Sequence, residues 1–193
     1  MIFRIFIICL SITLSNSNNN LNDIQNSRED SLNSIIEELL FDINKVSNFS
    51  LYSSEGDLYD IRSLEGNVIL LNFWATWCGP CRMEIPELNE IYSVYKDEGL
   101  IVLGVSISDT KKALLDFSKL YTVNYPLLYG SSSDIEKVLI DYGNIYSVPT
   151  SILIDKKGKM VHTYPGAILK SYDRYDGWYS HLNKKIQESL LEQ

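Results

Sequence analysis

Residues 74–88 read WATWCGPCRMEIPEL, which places Cys78 and Cys81 two residues apart with Gly79 and Pro80 between them. Such a pair can be a redox-active dithiol, half of a metal site, or a structural staple. A zinc site takes about four ligands, commonly from two paired motifs. The chain has three cysteines and two histidines. Cys9 lies near the N-terminus, and His162 and His181 are isolated along the sequence, so no metal is expected. As a staple the pair would close a loop of four residues, which restricts little chain entropy and adds little stability. The setting suits reactivity better. Cys78 follows an apolar run, and Gly79-Pro80 opens a helix-like pattern, since Pro fits the first helical turn. A thiolate there would face unpaired backbone N–H groups and the positive end of the helix, which lowers a Cys-x-x-Cys thiol toward about 7. Cys81, one turn further on, can attack a mixed disulfide formed at Cys78. The chemistry implied is two-step thiol–disulfide exchange, with no organic cofactor.

The elements that must position this pair follow from periodicity. Near-continuous apolar runs at 67–74 (NVILLNFW) and 100–107 (LIVLGVSI) suit central strands covered on both faces. Between them Ile85, Leu88, Ile91, Tyr92 and Tyr95 share one helical face, and Pro86 is expected to kink that helix because it removes a hydrogen bond. FSLYSSEGDLYDI, from 49, reads as a hairpin around Ser-Glu-Gly-Asp. Helices are expected in TKKALLDFSKLYT and SSDIEKVLIDYG, with a short strand in YPLLYG between them. TSILIDKKGKMVHTY reads as two strands joined at Lys157-Gly158, and 172–190 as a last amphipathic helix. Strands alternating with helices predict an α/β domain with a central mixed sheet flanked by helices.

The N-terminal part differs in character. Arg4, an apolar stretch over 5–14 and small polar residues after it have the layout of an export signal. The stretch falls short of the roughly 20 apolar residues a membrane span needs. Residues 1–17 are therefore read as an export signal or anchor. Bulky Ile7 and Ile8 before Cys9 argue against lipidation there. The Asn-rich stretch 15–31 reads as a linker, and 32–47 as an amphipathic helix packed on the domain. Its polar face is acidic, which disfavours a membrane surface. The expected organisation is leader 1–17, linker and helix 18–48, and domain 49–193. With 193 residues, 45% hydrophobic and 22% charged, the chain can bury a core in one domain. A formal charge of -8 without a basic cluster excludes nucleic acid as a partner.

LLNFWATWCGPCRMEIPEL and SVPTSILIDKKGKMV, with the N-terminal hairpin and the extra strand–helix after LGVSI, resemble the TlpA/ResA group of exported thiol-disulfide oxidoreductases. The resemblance covers about 49–190 and implies a thioredoxin-like fold. It implies that Pro149 is cis beside the dithiol, its neighbouring backbone pairing with an incoming peptide. Trp77, Gly79, Pro80, Val148 and Pro149 would form the substrate-facing surface, and Trp74 would pack around the dithiol or serve the core alone. Where thioredoxins carry a buried Asp six residues before the first cysteine, this chain has Asn72, which cannot act as an acid or base. ResA-like members place a Glu three residues after the second cysteine, matched by Glu84. Glu84 has two readings: proton transfer with Cys81, or a solvated acid in the first helical turn.

Gly-Pro between the cysteines resembles thioredoxin itself, whose potential near about -270 mV makes its dithiol a reductant. The resemblance thus implies a periplasmic or envelope reductase of disulfide-containing proteins, such as apocytochromes c, recharged by a membrane electron donor. The competing reading is a thioredoxin-fold binding module with a static disulfide, docking a partner through its acidic surface or the 32–47 segment.

Overall fold

The structure is a computed structural model that describes residues 28–36, 45–174 and 177–192. Its larger compact unit begins at Lys45. Seven strands build that unit: β1 (Ser50–Ser53), β2 (Leu58–Asp60), β3 (Val68–Trp74), β4 (Leu100–Ser106), β5 (Leu127–Tyr129), β6 (Thr150–Ile154) and β7 (Met160–Pro165). Its helices are α1 (Gly79–Tyr95), α2 (Lys111–Ser118), α3 (Ser132–Asp141) and α4 (Trp178–Leu191). The strands form one sheet in the order β2-β1-β5-β4-β3-β6-β7. β3, β4 and β5 run parallel. β6, β7 and the β1–β2 hairpin pair antiparallel, so the sheet is mixed, as the alternation of elements predicts.

All seven residues of β3 are buried, because helices cover both faces of the parallel centre. Alternation still sorts them. Val68, Leu70 and Trp74 pack with Leu88 and Ile91 of α1, Phe117 of α2 and Leu182 of α4. Ile69, Leu71 and Phe73 pack on the other face with Leu51 of the hairpin and Ile135 and Val138 of α3. Asn72 is in phase with Leu70 and Trp74, so a lone amide in an apolar strand points under α1. The hairpin turn closes through the Ser53 N–H on the Asp57 carbonyl at 2.8 Å, with Gly56 at φ 112°, a conformation that costs glycine little.

Three expected boundaries shift. The helix expected over 32–47 is seen over 28–36. Residues 37–44 lie outside the described residues, as do the expected leader 1–17, Cys9 and the linker up to 27. At 45–47 the chain is not helical: Lys45 bridges Lys159, and the Val46 N–H donates to the Gly158 carbonyl at 2.9 Å. Backbone donors spent on that extended pairing are unavailable to a helix. The last helix starts at Trp178 rather than 172, because Gly177 before it is left-handed (φ 65°) and follows a separate short turn at Lys170–Tyr172.

Candidate active site

β3 ends at Trp74, and four residues later Cys78 is the N-cap of α1. The Cys78 N–H donates to the Ala75 carbonyl at 3.1 Å, a turn that delivers the sulfur to the helix terminus. There Cys78 Sγ accepts from the Cys81 N–H at 3.2 Å, one of the N–H groups a helix start leaves without a backbone partner. Pro80 lies in the first turn, where its missing N–H costs nothing. Cys78 and Cys81 are joined as a disulfide, with Cα atoms 5.3 Å apart. Both sulfurs belong to the core cluster that also holds Trp74. Trp74 therefore both lines the dithiol and packs the core, its ring centroid 5.0 Å from that of Phe117. The helix runs on through Pro86 to Tyr95.

The Val148–Pro149 bond is cis, and the Val148 carbonyl oxygen lies 3.8 Å from Cys78 Sγ. The Thr150 hydroxyl donates to the Ser147 carbonyl at 2.8 Å, and the Gly166 N–H donates to the Pro149 carbonyl at 2.8 Å. The segment facing the disulfide is thus pinned on both sides. Trp77 is 64% exposed and Tyr146, three residues before Pro149, is 91% exposed.

Glu84 is fully buried, which removes the reading as a solvated acid. Cys81, Glu84, Leu88, Ile91 and Tyr95 recur at spacings of three and four, so Glu84 lies in the inward stripe of α1. Its Oε1 accepts from Asn72 Nδ2 at 2.8 Å and its Oε2 from the Ile168 N–H at 2.9 Å. Asn72 Nδ2 also donates to Ser151 Oγ at 3.0 Å, the residue opposite it in the β3–β6 register. Burial pushes the Glu84 carboxyl up to about 8, and the nearby Glu87 adds to that, against the two hydrogen bonds that favour the charged form. Asn72 therefore serves as a donor that seats the Glu84 carboxyl.

On the other side of the dithiol, the segment after β4 reaches back to the turn before Cys78. Asp109 Oδ2 accepts from the Thr76 N–H at 2.8 Å and from the Ser106 hydroxyl at 2.7 Å, and Asp109 Oδ1 accepts from the Thr76 hydroxyl at 2.6 Å. Trp77 Nε1 donates to Ser108 Oγ at 3.0 Å. Sequence reasoning passed over Thr76, Ser106, Ser108, Asp109, Tyr146 and Ser151. The signal for the Ser106–Asp109 group was available: three polar residues, Ser106, Ser108 and Asp109, at the carboxyl end of a parallel strand, where α/β sheets carry their sites.

The structure brings together Trp77, Cys78, Gly79, Pro80, Cys81, Glu84, Val148 and Pro149 at one end of the sheet. His162 and His181 are not isolated in space. Their ring centroids lie 4.7 Å apart, with Tyr164 Oη 3.0 Å from His181 Nδ1. Burial, the neighbouring His181 and Lys185 hold His162 below its ordinary value. Among the described residues no group of three or more His, Cys, Asp or Glu could hold a metal, and no helix is long and apolar enough to cross a membrane.

The AhpC/TSA family profile matches residues 43–163. The thiol-disulfide oxidoreductase ResA of Bacillus cereus is 35% identical over 119 residues, 62% of this chain and 66% of that relative. The match thus spans just under two thirds of the relative's length. The ResA of Bacillus subtilis is 31% identical over 64% of this chain and 67% of its own. Among solved structures, a Chlorobium tepidum protein assigned as the thiol:disulfide interchange protein DsbE superposes with a TM-score of 0.65 at 26% identity, covering 76% of this chain and 96% of its own. A Bacteroides thetaiotaomicron protein assigned as a protein disulfide isomerase gives 0.66 at 25% identity, covering 77% and 89%. The seven-stranded mixed sheet with its flanking helices is a thioredoxin-like fold.

Proposed function

The chain belongs to the AhpC/TSA family, and from that premise we propose that it is a thiol-disulfide oxidoreductase that reduces disulfides of exported or envelope proteins. One observation carries this reading: the Cys78–Cys81 disulfide sits at the N-terminus of α1, against the cis Val148–Pro149 segment, with the buried carboxyl of Glu84 one turn beyond Cys81.

In the reduced chain the Cys78 thiolate, held by the Cys81 N–H and the helix terminus, attacks one sulfur of a substrate disulfide. The substrate S–S bond breaks, a Cys78–substrate bond forms, and the other substrate sulfur leaves as a thiolate and takes a proton from water. Cys81 then gives its proton to the Glu84 carboxylate and attacks Cys78 Sγ. The mixed disulfide breaks, the second substrate sulfur leaves and is protonated, and the Cys78–Cys81 disulfide is the product. Two electrons have passed to the substrate. A membrane dithiol donor returns two electrons and two protons to the chain. Trp77, Gly79, Pro80, Val148 and Pro149 form the surface the substrate meets, with the backbone beside Pro149 pairing with an extended segment. Apocytochromes c are one substrate class that such an exported reductase would serve.

The test is a trap. Cys81→Ala expressed in its native envelope should accumulate proteins linked to Cys78 that vanish on reduction, and the purified wild-type chain should reduce a generic protein disulfide. An empty trap, with both cysteines found permanently oxidised in the wild type, would move the chain to the static binding-module reading.

A further inference from the structure

Between Trp74, the last residue of β3, and Cys78, the N-cap of α1, lie Ala75, Thr76 and Trp77. These residues have no strand or helix to hold them, yet the reacting sulfur hangs on their geometry. Both polar handles they present are taken by the Ser106–Asp109 segment. The Asp109 carboxylate accepts the Thr76 N–H and both hydroxyls, of Thr76 and Ser106, at 2.6–2.8 Å. Ser106 Oγ in turn accepts the Asp109 N–H at 3.0 Å, which closes a ring of hydrogen bonds. Ser106 is buried and stands opposite Trp74 in the β3–β4 register, and the Ile107 N–H donates to the Trp74 carbonyl at 3.0 Å. The frame to which Asp109 ties the turn is therefore the rigid centre of the sheet.

The ordinary job of an Asp just before a helix is to cap it. Here Thr110 does that, accepting from the Ala113 N–H at 3.3 Å, and Asp109 faces the other way. Three donors converging on one ionised acceptor make strong, directional bonds.

We propose that Asp109 is a positioning residue for the exchange reaction: through Thr76 it fixes the 75–78 turn so that Cys78 Sγ stays on the Cys81 N–H, while Ser108 aims Trp77 at the substrate. The role rests on the thiol-exchange reading of the site, and it is read on the thiol itself, without a protein substrate.

The measurement is the ultraviolet titration of the Cys78 thiolate, in full-length chain carrying Cys81→Ala, with and without Asp109→Ala or Asp109→Asn. The rate of reaction with a small aromatic disulfide is followed alongside. Loosening the turn removes the N–H bond to sulfur. Asp109→Ala should then raise the titration midpoint by about half a unit or more, roughly a threefold loss of thiolate below it, and slow the reaction several-fold. Asp109→Asn keeps one acceptor oxygen for Thr76 and should fall between Ala and the parent; it also serves if the Ala variant fails to fold. An effect of charge alone has the opposite sign, because removing a nearby anion favours the thiolate and lowers the midpoint equally in both variants. A midpoint lowered or unmoved in a folded variant overturns the proposal. If the wild type reduces no protein disulfide while the midpoint still rises in Asp109→Ala, the positioning role stands and the reductase reading falls.

Discussion

The two sides of the dithiol use the same kinds of residue to opposite ends. On the inner side Cys81, Glu84, Asn72 and Ser151 all sit on regular elements and are all buried. On the outer side Thr76, Trp77, Ser108 and Asp109 lie between elements and reach solvent. Each side centres on a carboxylate. Glu84 has two donors, Asn72 Nδ2 and the Ile168 N–H, and burial still pushes its carboxyl up to about 8. Two neutral donors thus fail to offset the loss of water around a fully buried charge. Asp109 has three donors in a partly exposed place and binds two loops together. The difference teaches that burial favours the neutral form of a carboxyl, whereas convergent donors at the surface make one a fastener.

The largest effect should come from breaking the pair that joins the two sides. Cys78→Ser should abolish reduction of protein disulfides altogether, since the sulfur that faces the Val148 carbonyl is gone. Cys81→Ala should instead complete the first step and stall, so that Cys78 accumulates as a mixed disulfide, visible by mass spectrometry. Equal, complete inertness of both variants would deny the division of labour.

Glu84→Gln tests the inner side alone. With Glu84 in its proposed role the resolving step uses the carboxylate, so the wild-type rate should climb with pH up to about 8 and the variant should lose that limb, slowing by about a hundredfold at its optimum. Stability carries a second signature. The folded-state value lies above the unfolded carboxyl value of 4.5. Glu84 therefore contributes stability that is complete below that value and is lost as pH rises through about 8, on the order of a few kcal/mol. Chemical denaturation from pH 5 to 8 should show this loss in the wild type and a flatter profile in Glu84→Gln. Matching profiles would leave Glu84 outside both roles.

A smaller effect, on packing rather than protons, is expected at Gly104, which pairs with Asn72 across β3–β4. A Cβ there would meet Leu127 Cδ2 at 2.9 Å, Trp74 Nε1 at 3.1 Å and Tyr125 Cε2 at 3.2 Å. Gly104→Ala should cost about 1–3 kcal/mol by overpacking, measured by urea unfolding, with the outer side's reactivity toward a small disulfide preserved in the folded fraction. A cost near zero would mean that the rings on the inner side are free to shift.

Local signals made the skeleton legible. The Cys-Gly-Pro-Cys run, the apolar strands and the hairpin turn each announce themselves within a dozen residues, and the structure has them where the periodicity predicts. The two carboxylate sites were harder to read because their partners are far apart in sequence: Glu84 from Ile168 by 84 residues and Asp109 from Thr76 by 33. Even so, Glu84 falls in phase with Cys81, Leu88 and Ile91, a periodic signal of burial that its charge masked. Asp109 drew no reading at all, since nothing local tells whether a residue just before a helix caps forward or reaches back. His162 and His181 show the same limit, meeting only through the contact of β7 with α4.

The smallest effect sharpens the outer side. Trp77 is mostly exposed, and its indole N–H donates to Ser108 Oγ. Removing the ring therefore takes little from the fold, under about 1 kcal/mol for an exposed hydrogen bond of this kind. The ring's apolar face is instead available to a partner, for which an aromatic contact is worth about 0.5–1.5 kcal/mol beyond area burial. Trp77→Ala should thus raise KM for a protein disulfide roughly threefold to tenfold, leave kcat within about twofold, and leave the rate with a small aromatic disulfide unchanged, since a small molecule meets the sulfur without covering the ring. Ser108→Ala keeps the ring but frees its direction, so it should give part of the same KM increase and add nothing in the Trp77→Ala background. Additive effects of the two substitutions would show that Ser108 acts by another route, and an unchanged KM in both would remove Trp77 from the substrate-facing surface.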